Sequence, residues 1–258
     1  MADAWSSADA YDVYIGRWSR LVASEFVDWL DVPAGRRWLD VGCGTGALTA
    51  AILDRGDPSE VIGVDPSEHY VASATATVID PRVRFELADA AHLPIAVADV
   101  VVSGLSLNFV PDLSAALEAM RAAAPGGVIA AYVWDYAGKM ELIRHFWDAA
   151  VELDPSAADF DEAVRFPICR SDLLVELWEA VGLRDVEARA IDVPTIFPDF
   201  EAYWTPFLGG QGPAPGYVKA LDERRRRDLH ERIRAALPAQ PDGSIHLVAR
   251  AWAIRGTS

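Results

Sequence analysis

The stretch LDVGCGTG, residues 39–46, decides how the rest of the chain is read. A short apolar run, Trp38 to Val41, leads into glycines at 42, 44 and 46, and the helical pattern GALTAAILDR follows over 46–55. The run predicts a strand, and Gly56 predicts the end of the helix. Glycines at alternate positions directly after a strand let the backbone turn sharply and approach a ligand with no Cβ in the way. Free amides at the start of the next helix face the same space. The turn therefore reads as an anion site, suited to a carboxylate or a pyrophosphate.

Outward from this turn the same rhythm repeats. VIGV at 61–64 predicts the next strand, Asp65 stands at its end, and Pro66 and Ser67 start a helix running to about Thr77. Val83 to Leu87 predicts a third strand, and DVVVS at 99–103 one buried on both faces. Asp112 caps a helix whose Leu113, Ala116, Leu117 and Met120 share one side, and VIAAYVW at 128–134 supplies a fifth strand. Strand, helix, strand at this cadence predicts a mostly parallel sheet with helices on both faces.

Beyond Trp134 the reading is a helix over about 138–153, a second capped by Ser171 and ended by Gly182, and a strand within 183–193. A loop rich in Pro, Gly and aromatic residues follows over 194–215, then a charged helix over about 219–236 and a final strand, SIHLVARAWAIR, at 244–255. With no internal repeat and no clean linker, the second half reads as completing one sheet rather than forming a separate domain.

Composition narrows the function. The 258 residues are 52% hydrophobic, enough for a sizeable core, and carry 23 Lys and Arg against 39 Asp and Glu, a formal net charge of −16. That balance argues against nucleic acid as the main partner, because phosphate contact needs a positive surface. Arg224 to Arg227 reads as a solvated helix face. Two cysteines, Cys43 and Cys169, cannot build a disulfide framework, and no His, Cys or carboxylate spacing predicts a metal. No apolar run is long enough to span a bilayer, and the first twenty residues lack the pattern of a signal peptide; membrane insertion is not expected, and a cytoplasmic location is.

The residues alone leave the cofactor open. GCGTGA at 42–47 fits the looser G-x-G-x-x-A dinucleotide fingerprint, and an acidic residue at the end of the second strand can accept ribose hydroxyl hydrogen bonds. Both features suit NAD as well as any other adenosine-containing cofactor.

Four segments in order, LDVGCGTG at 39–46, GVDPS at 63–67, ADAAHLP at 88–94 and DVVVSGLSLNFVPD at 99–112, resemble the motif series of class I S-adenosylmethionine-dependent methyltransferases. The similarity spans about Arg36 to Trp134. YDVYIGRWSR at 11–20 resembles the N-terminal segment of the family's bacterial small-molecule members, of the ubiquinone/menaquinone-methyltransferase-like type. The resemblance implies an α/β, Rossmann-like three-layer sandwich. Its seven-stranded sheet would be mostly parallel with the last strand antiparallel, with helical and aromatic insertions over the acceptor site. It implies one domain over 1–258: an N-terminal helical cover (1–35), a cofactor-binding core (36–134), lid and acceptor elements with sheet completion (135–243), and the final strand (244–255).

Carried over residue by residue, the resemblance places Asp40, Gly42, Gly44 and Gly46 around the methionine part of S-adenosylmethionine. Asp65 would hold the ribose, with Pro66 and Ser67 beside the adenine, and Asp89 and Ala90 at the adenine edge. Gly104 and Leu105 would face the amine or sulfonium end, and Tyr14 or Arg17 would cover the methionine carboxylate. The implied reaction moves the methyl group to a small-molecule acceptor by in-line displacement, catalysed mainly by positioning and leaving S-adenosylhomocysteine. His145 is the candidate base if the acceptor needs one. Tyr136, Trp147 and Trp204 are candidate walls for an aromatic or hydrophobic acceptor, and the expected assembly is a monomer or homodimer. The competing readings are an NAD(P)-dependent oxidoreductase and a non-catalytic S-adenosylmethionine-binding protein.

Overall fold

The computed structural model describes residues 15–209 and 212–258. Its elements are α1 (Arg17–Leu30), β1 (Arg37–Val41), α2 (Ala47–Arg55), β2 (Glu60–Asp65), α3 (Glu68–Thr77), β3 (Val83–Leu87) and β4 (Val100–Gly104), then α4 (Leu113–Ala123) and β5 (Val128–Trp134). The second half adds α5 (Glu141–Leu153), α6 (Glu162–Arg165), α7 (Ser171–Ala180), β6 (Arg184–Phe197), α8 (Phe200–Trp204), α9 (Pro213–Ala220), α10 (Glu223–Ala236) and β7 (Ile245–Thr257).

The strands form one seven-stranded sheet in the order β3-β2-β1-β4-β5-β7-β6, mostly parallel, with the last strand antiparallel. β1 pairs in parallel with β2 on one side and β4 on the other, so the order reverses at β1. Such a reversal opens a crevice beyond the strand C-terminal ends, and the glycine turn follows β1 there. The Rossmann-like sandwich expected from the sequence is the fold observed.

Contacts gather the chain into two compact units. The first comprises residues 19–133, 168–191 and 251–258; among the described residues, the second comprises 15–18, 134–167, 192–209 and 212–250. In the first unit, Trp38 and Leu39 of β1, Val100 to Val102 of β4 and Ile129 to Val133 of β5 are buried, as a parallel sheet covered on both faces requires. Local signals set the helix starts. Ser67 accepts from the Tyr70 amide and Asp112 from the Ala115 amide, each meeting an N–H that has no intrahelical partner.

In the second unit Phe146 of α5 stacks on Phe207 with centroids 4.7 Å apart, and the Tyr203 hydroxyl donates to the Leu142 carbonyl at 2.8 Å. Three local expectations are corrected. β6 continues through Pro194 to Phe197 instead of ending near 193; it is an edge strand, where a missing N–H need not cost a ladder bond. The helix expected from 138 begins at Glu141, because Asp135 takes the Lys139 amide and folds 135–140 into a turn. The helix expected over 219–236 is two helices, split where Asp222 caps α10 by accepting from the Arg225 amide.

Candidate functional site

In the first unit the chain leaves β1 at Val41 and turns through Gly42, Gly44 and Gly46, all at positive φ. The Gly42 and Cys43 amides donate to the Val64 carbonyl at 2.8 and 3.0 Å, tying the turn to β2. Gly42 and Gly44 need glycine for different reasons. A Cβ on Gly42 would lie 2.3 Å from Ser106 Oγ, whereas one on Gly44 would meet nothing within 4 Å. Gly42→Ala therefore combines a left-handed backbone with overpacking and is expected to lose about 2–4 kcal/mol in urea unfolding. Gly44→Ala carries mainly the backbone penalty, since its added methyl enters open space.

Asp65 organises this turn. Its two carboxylate oxygens accept from the Gly44 amide at 3.0 Å and the Ser67 amide at 2.9 Å, clamping the glycine turn to the start of α3. Burial pushes its pKa up, and the two amide hydrogen bonds pull it back. Each oxygen keeps a lone pair for a sugar hydroxyl. Ser67 is spent as a helix cap, and Pro66 beside it is exposed. Asp40 is wholly buried: one oxygen accepts from Thr49 Oγ1 at 2.7 Å, and the other, Oδ1, has no partner among the described residues. Burial raises Asp40 to about 7 against the Thr49 hydrogen bond, and Asp65 nearby adds to the rise.

Asp89, expected at the adenine edge, is half exposed and accepts from the Ala91 amide at 2.8 Å and faces His92 Nδ1 at 2.9 Å. These two hydrogen bonds, His92 first, hold its carboxyl below the usual range. Ala90, its neighbour, is half-buried. Gly104 ends β4 against Tyr132, whose hydroxyl would lie 2.6 Å from a Cβ there, and the Leu105 amide donates to the Tyr132 carbonyl at 2.8 Å.

The other described residues expected at the site, Arg17, Tyr136, His145, Trp147 and Trp204, belong to the second unit. Tyr14 is outside the described residues. Arg17, in the second unit, has its guanidinium 4.2 Å from the centroid of Trp18 and 5.3 Å from that of Phe197, with no ion pair among the described residues. His145, on α5, is half-buried; burial is the first influence on it and lowers its pKa, with Glu141 and Asp148 opposing. The candidate acceptor walls Tyr136, Trp147 and Trp204 are all buried, and the Trp147 indole donates to Glu162. Sequence reasoning missed Thr49, Tyr132 and the hydroxyl pair of Ser103 and Ser106. The serines lie inside the quoted string DVVVSGLSLNFVPD, but their partner, the Val41 carbonyl, is 62 and 65 residues away.

The chemistry of this group selects among adenosine cofactors. Asp40 and Asp65 put two buried carboxylates beside the glycine turn, which would repel a pyrophosphate. A ligand carrying an ammonium and a sulfonium draws both carboxylates toward their ionised form. The orphaned Asp40 Oδ1, the open face at Gly44 and the free lone pairs on Asp65 fit S-adenosylmethionine.

Residues 39–131 match the methyltransferase domain family. The chain is 34% identical over 185 residues to the trans-aconitate 2-methyltransferase of Methylobacterium radiotolerans, spanning 66% of this chain and 70% of that one. It belongs to the class I S-adenosylmethionine-dependent methyltransferases. It is also 28% identical, over 85% of both chains, to the trans-aconitate 2-methyltransferase of Rhodopseudomonas palustris. Among solved structures, its fold matches Haemonchus contortus phosphoethanolamine N-methyltransferase 2 in complex with S-adenosyl-L-methionine, at a TM-score of 0.58 and 16% identity over 97% of this chain and 56% of that one.

The cofactor left open by the glycine turn is therefore S-adenosylmethionine, and the enzyme transfers its methyl group to a small-molecule acceptor. When bound, the cofactor supplies an electrophilic methyl on its sulfonium, open to in-line displacement.

Proposed function

We propose that the acceptor is a small unsaturated polycarboxylate of the trans-aconitate type, and that the methyl group goes to a carboxylate oxygen to give a methyl ester. The observation that carries this reading is the kinship with the two trans-aconitate 2-methyltransferases, the first extending over more than two thirds of that relative's length. In this proposal the enzyme works in the cytoplasm, as a monomer or homodimer. Asp40, Gly42, Gly44 and Gly46 hold the methionine portion, Asp65 the ribose, and Pro66, Ser67, Asp89 and Ala90 the adenine side. Gly104 and Leu105 face the sulfonium end.

The chemistry suits this acceptor. A carboxylate is ionised at neutral pH, so it attacks without a proton being removed, and no general base is needed. The new bond joins carboxylate oxygen to methyl carbon as the carbon–sulfur bond breaks, and the positive sulfonium and negative carboxylate both become neutral. The protein's part is to hold the nucleophile in line and exclude water. An aromatic acceptor draws less support, because the rings that suggested it are spent on packing: Trp147 and Phe146 lie edge to face at 5.0 Å, and Phe200 and Trp204 are stacked at 6.5 Å.

The direct test is mass detection of a methyl ester from trans-aconitate and S-adenosylmethionine, with citrate and a planar phenol as comparison acceptors. Ester formation confined to the polycarboxylates is expected, with His145→Gln keeping kcat within about twofold of the parent. Methylation of the phenol alone, or a fall of about a hundredfold or more in His145→Gln, would instead indicate an acceptor that needs a base.

A further inference from the structure

The turn that follows β4, Leu105 to Phe109, is shaped at some expense. Leu105 sits at φ 58°, a left-handed conformation that a side chain with a Cβ disfavours. Its amide is held by the Tyr132 carbonyl at 2.8 Å. The hydroxyls of Ser103 and Ser106 lie 2.7 Å apart and within 2.8 and 3.1 Å of the Val41 carbonyl, and share their protons over these contacts. Val41 is the last residue before Gly42, and Ser106 Oγ occupies the space a Gly42 side chain would take. The turn is thus fastened directly to the glycine turn that receives the methionine end of the cofactor.

Asn108 is two residues beyond this fastening, in a single 3-10 turn. Its side-chain nitrogen is buried and has no hydrogen-bond partner among the described residues. Such a donor is costly to leave unmet, and an apolar side chain of similar size would avoid that cost. An Asn side chain can donate to an anion through its NH2 group without carrying a charge of its own.

We propose that Asn108 is an acceptor-binding residue, its side-chain amide donating a hydrogen bond to a carboxylate of the acceptor in the step that aligns the nucleophile with the methyl group. The assignment rests on the polycarboxylate reading given above. The strained turn and its serine fastening serve to hold this amide at a set distance from the cofactor.

The experiment measures methyl ester formation from trans-aconitate at saturating S-adenosylmethionine, S-adenosylhomocysteine affinity by calorimetry, and the thermal midpoint, for the parent, Asn108→Leu and Asn108→Asp. Asn108→Leu is expected to raise KM for trans-aconitate by about tenfold or more with cofactor affinity unchanged. Its midpoint should be unchanged or higher, since an unmet buried donor is gone. Asn108→Asp keeps the shape and sets a like charge against the acceptor, so its KM should rise further. If the parent is active and Asn108→Leu matches its KM, the assignment fails alone. A parallel loss of cofactor affinity also overturns it, moving Asn108 to the cofactor. A parent inactive on trans-aconitate and citrate brings down the polycarboxylate reading and this assignment together.

Discussion

Asp65→Ala is expected to weaken S-adenosylhomocysteine binding by about a hundredfold or more, the largest single-residue loss in the proposed cofactor site. The substitution removes the acceptor for two amides, Gly44 N at 3.0 Å and Ser67 N at 2.9 Å, and with them the clamp between the glycine turn and α3. Each donor left unmet costs about 1–3 kcal/mol, partly recovered where water reaches it. The proposed ribose contacts are lost in addition. Asp65→Asn should fall between parent and alanine variant in unfolding experiments. It keeps one carbonyl oxygen, but its NH2 group faces whichever backbone N–H the lost oxygen served. A folded Asp65→Ala protein that binds the nucleoside as tightly as the parent would contradict both the clamp and the sugar contact.

The second large effect is on stability against pH. Glu162 is fully buried in the second unit, beneath Trp147, and burial raises its pKa to about 8 despite the indole hydrogen bond it accepts. In the unfolded chain the same carboxyl titrates near the ordinary Glu value of about 4.3. The folded form therefore binds a proton more tightly than the unfolded form. Its favourable contribution is greatest below the unfolded pKa, declines as pH rises between about 4.5 and 8, and levels off above that.

Within that window the slope is about 1.4 kcal/mol per pH unit for one such group. Asp40, raised to about 7, adds in the same direction below neutrality. Glu162→Gln keeps an acceptor for the Trp147 indole and removes the titration. Its urea midpoint is expected to fall less steeply between pH 5 and 8 than the parent's, leaving it the more stable protein at pH 8. Parallel pH profiles for parent and variant would show that Glu162 does not titrate in this range.

Much of the proposed cofactor site is visible in the chain because its signals are local. Three glycines in five residues, an acidic residue at the end of the next strand, and Ser67 and Asp112 before helical periods each report a conformation set by near neighbours. The aromatic residues misled for the opposite reason. Tyr136, Trp147 and Trp204 have the composition of a ligand pocket, but burial of large apolar surface is also what a core requires, and the pattern alone does not separate the two. By composition Pro194 reads as the start of a Pro-, Gly- and aromatic-rich loop; its place on an edge strand, where a missing N–H costs no ladder bond, lets β6 run on to Phe197.

The sequence by itself determined the alternation of strand and helix, the glycine turn, and the family to which the chain belongs. These depend on contacts between residues close in the chain, or on motifs whose order the family shares. The tertiary structure alone decided what Asp65 clamps, which carbonyl the two serines hold, and that Glu162 is buried under Trp147. These pairings join residues 21, 62 to 65, and 15 positions apart. Hydrogen bonds at such separations form only when the sheet and helices bring their partners together, and no periodicity along the chain encodes them.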